Sequence, residues 1–382
     1  MKRVPLAVLN LLHDRTRLLV AIAGVSFAVL LIFMNLGFLG ALLKTTTNFY
    51  SQFNGDIFLM SPQSLEISST EPFPRERLYQ VAGVEGVERV MPLYSDYALW
   101  KNPETGISRA MFVYGYNLQD PMFLMPEVNS PEGLRILQQA NTVFIDRLSR
   151  PEFGPQTTGL VTESDRRQVK IGGQYSLGGG FAADGTLLMS DQNFRRYFAP
   201  RPLDQINMGL VLLKPGTDAQ KVKETMRALL PADVNIFTKA EIIQHDSTYW
   251  LQTTSIGFIF GLGVLVSFVV GTVIVYQILY TDIRDHLREY ATLKAMGYSS
   301  WFLFKVVLQE AVLLAVMGYV PGLIVSIGLY AVTVNATAGA LPMEMTLSRV
   351  IFVLGLALVM CCASGLISVR KAMTADPAEV FA

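Results

Sequence analysis

Four stretches of the chain contain no Asp, Glu, Lys, Arg or His: Leu18 to Leu43, Ser247 to Thr281, Ala311 to Met343 and Val350 to Val369. A helix needs about 20 apolar residues to cross the hydrocarbon core of a bilayer, so the pattern predicts four membrane-spanning α-helices. The first stretch exceeds the apolar core of a cleaved signal peptide, roughly 7 to 15 residues, and reads as a retained anchor. The second would reach about 52 Å as one helix, well past a core of about 30 Å. It is therefore expected to be a rigid stalk projecting from the membrane. In the third, Pro321 beside Gly322 favours a kink, because proline removes a backbone N–H and its ring clashes with the preceding turn.

Between the first two spans, 44–250 is broken into short runs that predict a large mixed α/β domain. Strands are expected at Asp56 to Met60, Val87 to Leu99, Arg109 to Tyr116, Met208 to Leu213 and Asn235 to Phe237. Helices are expected at Arg75 to Val81 and Asp218 to Leu229. Arg109 to Tyr116 is placed as a hairpin partner across Asn102, Pro103 and Gly106. A strand, helix, strand unit thus lies near each end, and the two units are able to share one sheet. The middle, about 121–204, is richer in Gly, Pro and charge and is expected to be an inserted subdomain. Its Gly-rich stretch, Ile171 to Phe181, is not a phosphate loop, since no Gly-Lys pair occurs anywhere in the chain.

The resulting division is an N-terminal interfacial helix (1–17), a first span (18–43), the α/β domain (44–250), a second span with its stalk (251–281) and a loop (282–303). A third span (304–334), a short loop (335–348), a fourth span (349–370) and a tail (371–382) follow. Pro5 and the Asp14, Arg15, Arg17 cluster frame the interfacial helix, with Leu6, Leu9, Asn10 and His13 at helical spacing.

Basic residues set the orientation, because Lys and Arg in short flanking segments are retained on the cytoplasmic side. Lys2, Arg3, Arg15 and Arg17 precede the first span; Arg284, Arg288, Lys294 and Lys305 lie between the second and third; Arg370 and Lys371 follow the fourth. Val334 to Ser348 has none. Both termini are therefore expected in the cytoplasm and the α/β domain on the opposite side. With 51% hydrophobic and 16% charged residues, the composition departs from the roughly 25% charge of soluble domains. The formal net charge of zero conceals this sidedness and gives no footing for nucleic acid. Cys361 and Cys362, the only cysteines, are adjacent in the fourth span. No disulfide can form in the α/β domain, and the three histidines, His13, His245 and His286, are remote from that pair in sequence.

Asp282 to Lys305 alternates charge with Leu287, Tyr290, Leu293 and Met296, and Asp285 is able to pair with Arg288. Gly297 suits the position just past a helix end, and Ser299 or Ser300 can cap the next helix. This is a short amphipathic helix, either a solvated turn or a docking surface. Small residues at a spacing of four, Gly257 with Gly261 and Gly318 with Gly322, permit close helix approach, either inside the subunit or between subunits.

Arg288-Glu289-Tyr290-Ala291-Thr292-Leu293-Lys294-Ala295-Met296-Gly297 resembles the coupling helix of ABC-transporter permeases of the MacB and FtsX type (type VII). The order of segments agrees along nearly the whole chain, including a tail from Val369 to Phe381 with Asp376-Pro377. Phe73-Pro74-Arg75 with Leu78-Tyr79-Gln80, Met91-Pro92-Leu93-Tyr94, and Arg150-Pro151-Glu152-Phe153-Gly154-Pro155 are similar to the cyanobacterial DevC branch, which exports heterocyst glycolipid.

That resemblance implies a homodimeric inner-membrane permease with porter and Sabre-like parts in a periplasmic domain. Arg288, Glu289, Leu293, Lys294, Met296 and Gly297 would engage a separate ABC ATPase subunit (DevA-like) that uses ATP and Mg. A periplasmic membrane-fusion adaptor (DevB-like) and a TolC-like outer-membrane protein would complete a tripartite exporter. The chain itself would be non-catalytic and hold no cofactor or metal. Two other classes compete. An FtsX-like mechanotransmitter would use the same motion to control a periplasmic partner. A membrane enzyme would need chemistry in the α/β domain, where His245 is the only histidine and Asp184 and Asp191 are the type of carboxylates usually found solvated.

Overall fold

A computed structural model describes residues 15–177, 184–286, 289, 292, 296–337, 339 and 341–373. The interfacial helix expected over 1–17 lies almost wholly outside these residues, as do Gly178, Gly179, Gly180 and the tail beyond 373. The chain divides into a helical unit (1–41, 256–336 and 343–382) and an α/β unit (42–255 and 337–342).

Four helices are long and apolar enough to cross a membrane: α1 (Arg15–Gln52), α8 (Ser255–Asp285), and most of α9 (Ser300–Ala336) and α10 (Leu347–Met373). Within the helical unit they pack through small residues. On α1, Val25, Ala28, Val29, Ile32 and Phe33 are fully buried at helical spacing. Gly318 of α9 lets the Val25 side chain approach its backbone, and Gly322 does the same for Val29. Ser26 Oγ donates to the Gly318 carbonyl at 2.8 Å. Tyr319 Oη donates to the Val350 carbonyl at 2.8 Å, joining α9 to α10. Ser364 Oγ does the same for α10 and α8 by donating to Thr272, also at 2.8 Å. Cys361 is buried in this core, and α9 runs on through Pro321.

The expected rigid stalk is corrected on one count. The apolar run from Ser247 to Thr281 is not one helix. Helix α7 (Lys239–Thr248) passes into a π-helical turn at Tyr249–Thr253, and the chain is extended at Thr254 (φ −95°, ψ 161°) before α8 begins. Hydroxyl side chains compete for backbone bonds here, since Thr254 Oγ1 donates to the Trp250 carbonyl at 2.6 Å. Longer uninterrupted helices are α1, whose 38 residues span about 57 Å at 1.5 Å per residue, and α9, with 37 residues.

The α/β unit is built on a nine-stranded sheet in the order β11-β1-β10-β3-β4-β8-β5-β7-β6. Its strands are β1 (Ile57–Met60), β3 (Val87–Lys101), β4 (Ser108–Tyr116), β5 (Thr142–Asp146), β6 (Val161–Ser164), β7 (Arg167–Tyr175), β8 (Thr186–Ser190), β10 (Met208–Leu213) and β11 (Asn235–Thr238). A two-stranded pair, β2 (Phe73–Pro74) with β9 (Gln205–Ile206), lies beside it. The shorter helices are α2 (Glu76–Val81), α3 (Pro126–Asn129), α4 (Pro131–Leu137), α5 (Asp191–Tyr197) and α6 (Ala219–Leu229).

The two terminal strand, helix, strand units share this sheet, and β3 with β4 forms the expected antiparallel pair. The middle stretch continues the sheet through β8, parallel to β4. Val143, Ile145, Ile171 and Leu187 from that stretch are buried in one cluster with Ile57, Leu59 and Val211 from the ends. A second cluster, rich in Phe and Tyr, covers the opposite face. Gly172 and Gly173 of the Gly-rich stretch lie in β7, where Phe144 occupies the space a Gly173 side chain would need.

Candidate functional site: the segment between the second and third spans

The segment starts from an ionic joint. Asp282 and Asp285, one turn apart near the end of α8, face Arg17 in the first turn of α1. Arg17 Nη2 lies 2.6 Å from Asp285 Oδ2, and Nη1 lies 3.7 Å from Asp282 Oδ1. A cation near the last turn of α8 also meets the negative end of that helix. His286 Nδ1 sits 2.9 Å from the Asp282 carbonyl. The described partner of Asp285 is thus Arg17, on another span, while Arg288 lies outside the described residues. Hydropathy reading missed this joint. The usable signal was the opposite charge of Arg17 and the Asp282/Asp285 pair at the same expected membrane face.

Of the six residues assigned to coupling, Arg288, Leu293 and Lys294 lie outside the described residues. Glu289 is exposed and donates its N–H to the His286 carbonyl at 3.0 Å. Met296 donates its N–H to the Thr292 carbonyl at 3.0 Å, the spacing of an α-helical turn. Gly297 follows with φ +91°, the left-handed conformation a glycine adopts just past a helix end. The chain then enters α9, with the Ser299 carbonyl accepting from Phe302 N–H at 2.9 Å.

Around this reversal three large side chains face outward: Met296, Tyr298 and Trp301 are 63%, 47% and 60% exposed. Trp301 is held flat, stacked on Phe304 at 4.8 Å with Lys305 Nζ 5.5 Å from its ring. Among the described residues the segment therefore presents three exposed apolar side chains, with the charged Glu289 and Lys305 on either side in sequence. The packing glycines divide. Gly318 and Gly322 are used inside the subunit against α1, whereas nothing lies within 4 Å of a side chain added at Gly261. Gly257 is half-buried on α8.

Among the described residues no group of three His, Cys, Asp or Glu could hold a metal ion. In the α/β unit, Asp184 pairs with Arg150 at 2.9 Å, and Asp191 stands in the first turn of α5. His245 is hydrogen-bonded to the buried Asp246 at 3.1 Å. No nucleophile, acid and base converge among them.

These features define a multi-pass membrane protein with a large α/β domain inserted between its first and second spans. Its C-terminal region is similar to a known family: residues 259–377 match the FtsX-like permease C-terminal domain. Among curated proteins no match is found. The periplasmic region of MacB from Actinobacillus actinomycetemcomitans aligns at 12% identity over 53% of this chain and 96% of that one, with a TM-score of 0.35. The extracellular domain of the noncanonic ABC-type transporter YknZ from Gram-positive bacteria aligns at 12% identity over 48% of this chain and 100% of that one, also with a TM-score of 0.35.

Proposed function

We propose that this chain is the permease subunit of an ABC-type export system, passing the motion of a separate ATPase to its α/β domain. The observation that carries the reading is the outward apolar patch of Met296, Tyr298 and Trp301 around Gly297, in the region similar to FtsX-like permeases. Glu289, Leu293 and Lys294 would join that patch against the ATPase, with Arg288 at its start. ATP and Mg would be bound by the ATPase and not by this chain. The α/β domain would be periplasmic, working with a membrane-fusion adaptor and a TolC-like outer-membrane channel. Two chains would assemble as a homodimer in the inner membrane, with both termini in the cytoplasm. Glycolipid is the cargo suggested by the likeness of three sequence motifs to the DevC branch.

The test uses Glu289→Arg and Met296→Asp in the full chain. Both variants are expected to insert and melt like the parent, yet to retain less than a tenth of the ATPase on copurification and to lose transport. Full ATPase recovery and transport in both would sink the reading. Recovery of a cell-wall hydrolase with the complex, and no outer-membrane channel, would favour the FtsX-like role.

A further inference from the structure

At one end of the sheet, β11 is paired with β1 on one side and, among the described residues, with no strand on the other. The Lys239 N–H donates to the Asp56 carbonyl at 2.9 Å, so Asn235 and Phe237 turn their backbone groups toward β1 while Ile236 and Thr238 turn theirs away. Glu241 accepts from the Thr238 N–H at 2.7 Å. Among the described residues no hydrogen bond reaches the outward N–H or C=O of Ile236. An open strand edge is a template for another strand unless something blunts it.

Beyond that edge lies a cavity of about 990 Å³, open to solvent and flanked by α6 and α7. On the α6 wall Lys223 and Arg227 stand four residues apart, on one face of the helix. His245 and Tyr249 line the other wall, with Phe237 and Leu65 as apolar surface. Lys223 closes one end by bridging to Glu241 at 2.5 Å. That carboxylate is therefore engaged twice, by Lys223 and by the Thr238 N–H. Asp246 is buried and bonded to Tyr50 at 2.6 Å and to His245. Arg227 is exposed and makes no ion pair among the described residues. The charge left facing the cavity is positive.

We propose that this groove receives an extended acidic segment of a partner protein, added to the sheet beside β11. The segment would exchange two backbone hydrogen bonds with Ile236, set a carboxylate against Arg227 and lay an apolar side chain over Phe237. Strand addition of this kind takes affinity from main-chain bonds and specificity from alternate side chains. A lipid would cover the apolar wall but leave the Ile236 N–H and C=O unmatched. The cation left in the groove favours an acidic segment, and a second copy is an outcome the test separates. The surface would serve an export assembly or a signalling one alike.

The test measures binding of a fluorescein-labelled octapeptide of alternating Glu and Val to the full chain in detergent, by anisotropy. Binding is expected, weakened at least tenfold when alternate peptide amides are N-methylated in the β11-facing register, and weakened at least tenfold again by Arg227→Glu. The same variant should bind an alternating Lys and Val peptide more tightly than the parent does. No binding of the Glu and Val peptide, or equal affinity for its N-methylated form, overturns the proposal. It also fails if Arg227→Glu dissociates the chain's own oligomer while leaving peptide affinity unchanged, which would assign the groove to a second copy.

Discussion

Asp246 is fully buried, yet its carboxylate is matched: Tyr50 Oη donates at 2.6 Å, the Ile67 N–H at 3.3 Å, and His245 Nδ1 lies at 3.1 Å. A buried charge survives only when its oxygens are occupied, and its partners are stranded when it is removed. Asp246→Ala should therefore destabilise the α/β unit by about 3 kcal/mol, read as a lower midpoint in thermal or denaturant unfolding. A midpoint equal to the parent's would refute this. Hydrogen bonding to Asp246 outweighs partial burial and raises the His245 pKa above its ordinary value. The protonated ring then stabilises the fold fully below the unfolded-state value of about 6.5, and that contribution fades as pH rises through the raised folded value. The stability difference between the parent and His245→Gln should shrink from pH 5.5 to pH 8.5. A difference that stays flat or grows would contradict the sign.

Among the elements, those legible in the sequence were the ones whose cause is local. Met208 to Leu213 is an unbroken apolar run and forms β10 with those bounds. The helix expected over Asp218 to Leu229 forms as α6, with Asp218 standing outside it as the cap and accepting from the Gln220 N–H. The break at Thr254 was not legible from hydropathy, because threonine and serine count as uncharged whether they continue a helix or interrupt it. The usable clue was the run Gln252, Thr253, Thr254, Ser255, which separates the polar and aromatic start of the stretch from the apolar residues that follow. Likewise, spacing marked Gly318 and Gly322 as contact points without saying for which helix. Gly318→Val would drive a side chain into Val25 and toward the Ile22 carbonyl, and overpacking of this kind costs about 1–3 kcal/mol. Its folded yield and melting temperature should fall, while Gly261→Val should match the parent in both. Equal behaviour of the two variants would mean that α1 and α9 do not depend on that contact.

For the whole molecule, four apolar stretches were enough to locate the spans, because membrane crossing is a demand on composition and length. Strand order is not such a demand. The parallel pairing of β4 with β8, and of β5 with β7, joins residues far apart in sequence through backbone groups that every residue carries, so no pattern announces it. Of the segment between the second and third spans, the helix end at Gly297 was legible in the sequence, but the ionic joint from Arg17 to Asp282 and Asp285 depends on two spans meeting. Sidedness rests on the Lys and Arg distribution and has a direct test. In a chain with Cys361 and Cys362 replaced by Ala, a single cysteine at Ser68 should react with an impermeant maleimide in spheroplasts. One at Met296 should react only after the membrane is opened. Equal labelling of both without permeabilisation would end the two-compartment reading.

The shared sheet and shared cores have one more consequence. Excising 121–204 as though it were a cassette would strip β4 of its neighbour from Phe112 to Tyr116 and uncover the aliphatic layer beneath Ile57 and Val211. What remained would be a partial sheet, with an exposed apolar seam where its neighbours had been. Natural variation in this unit is therefore to be sought in substitutions along the sheet's rim and loops, where side chains can change without the layers coming apart.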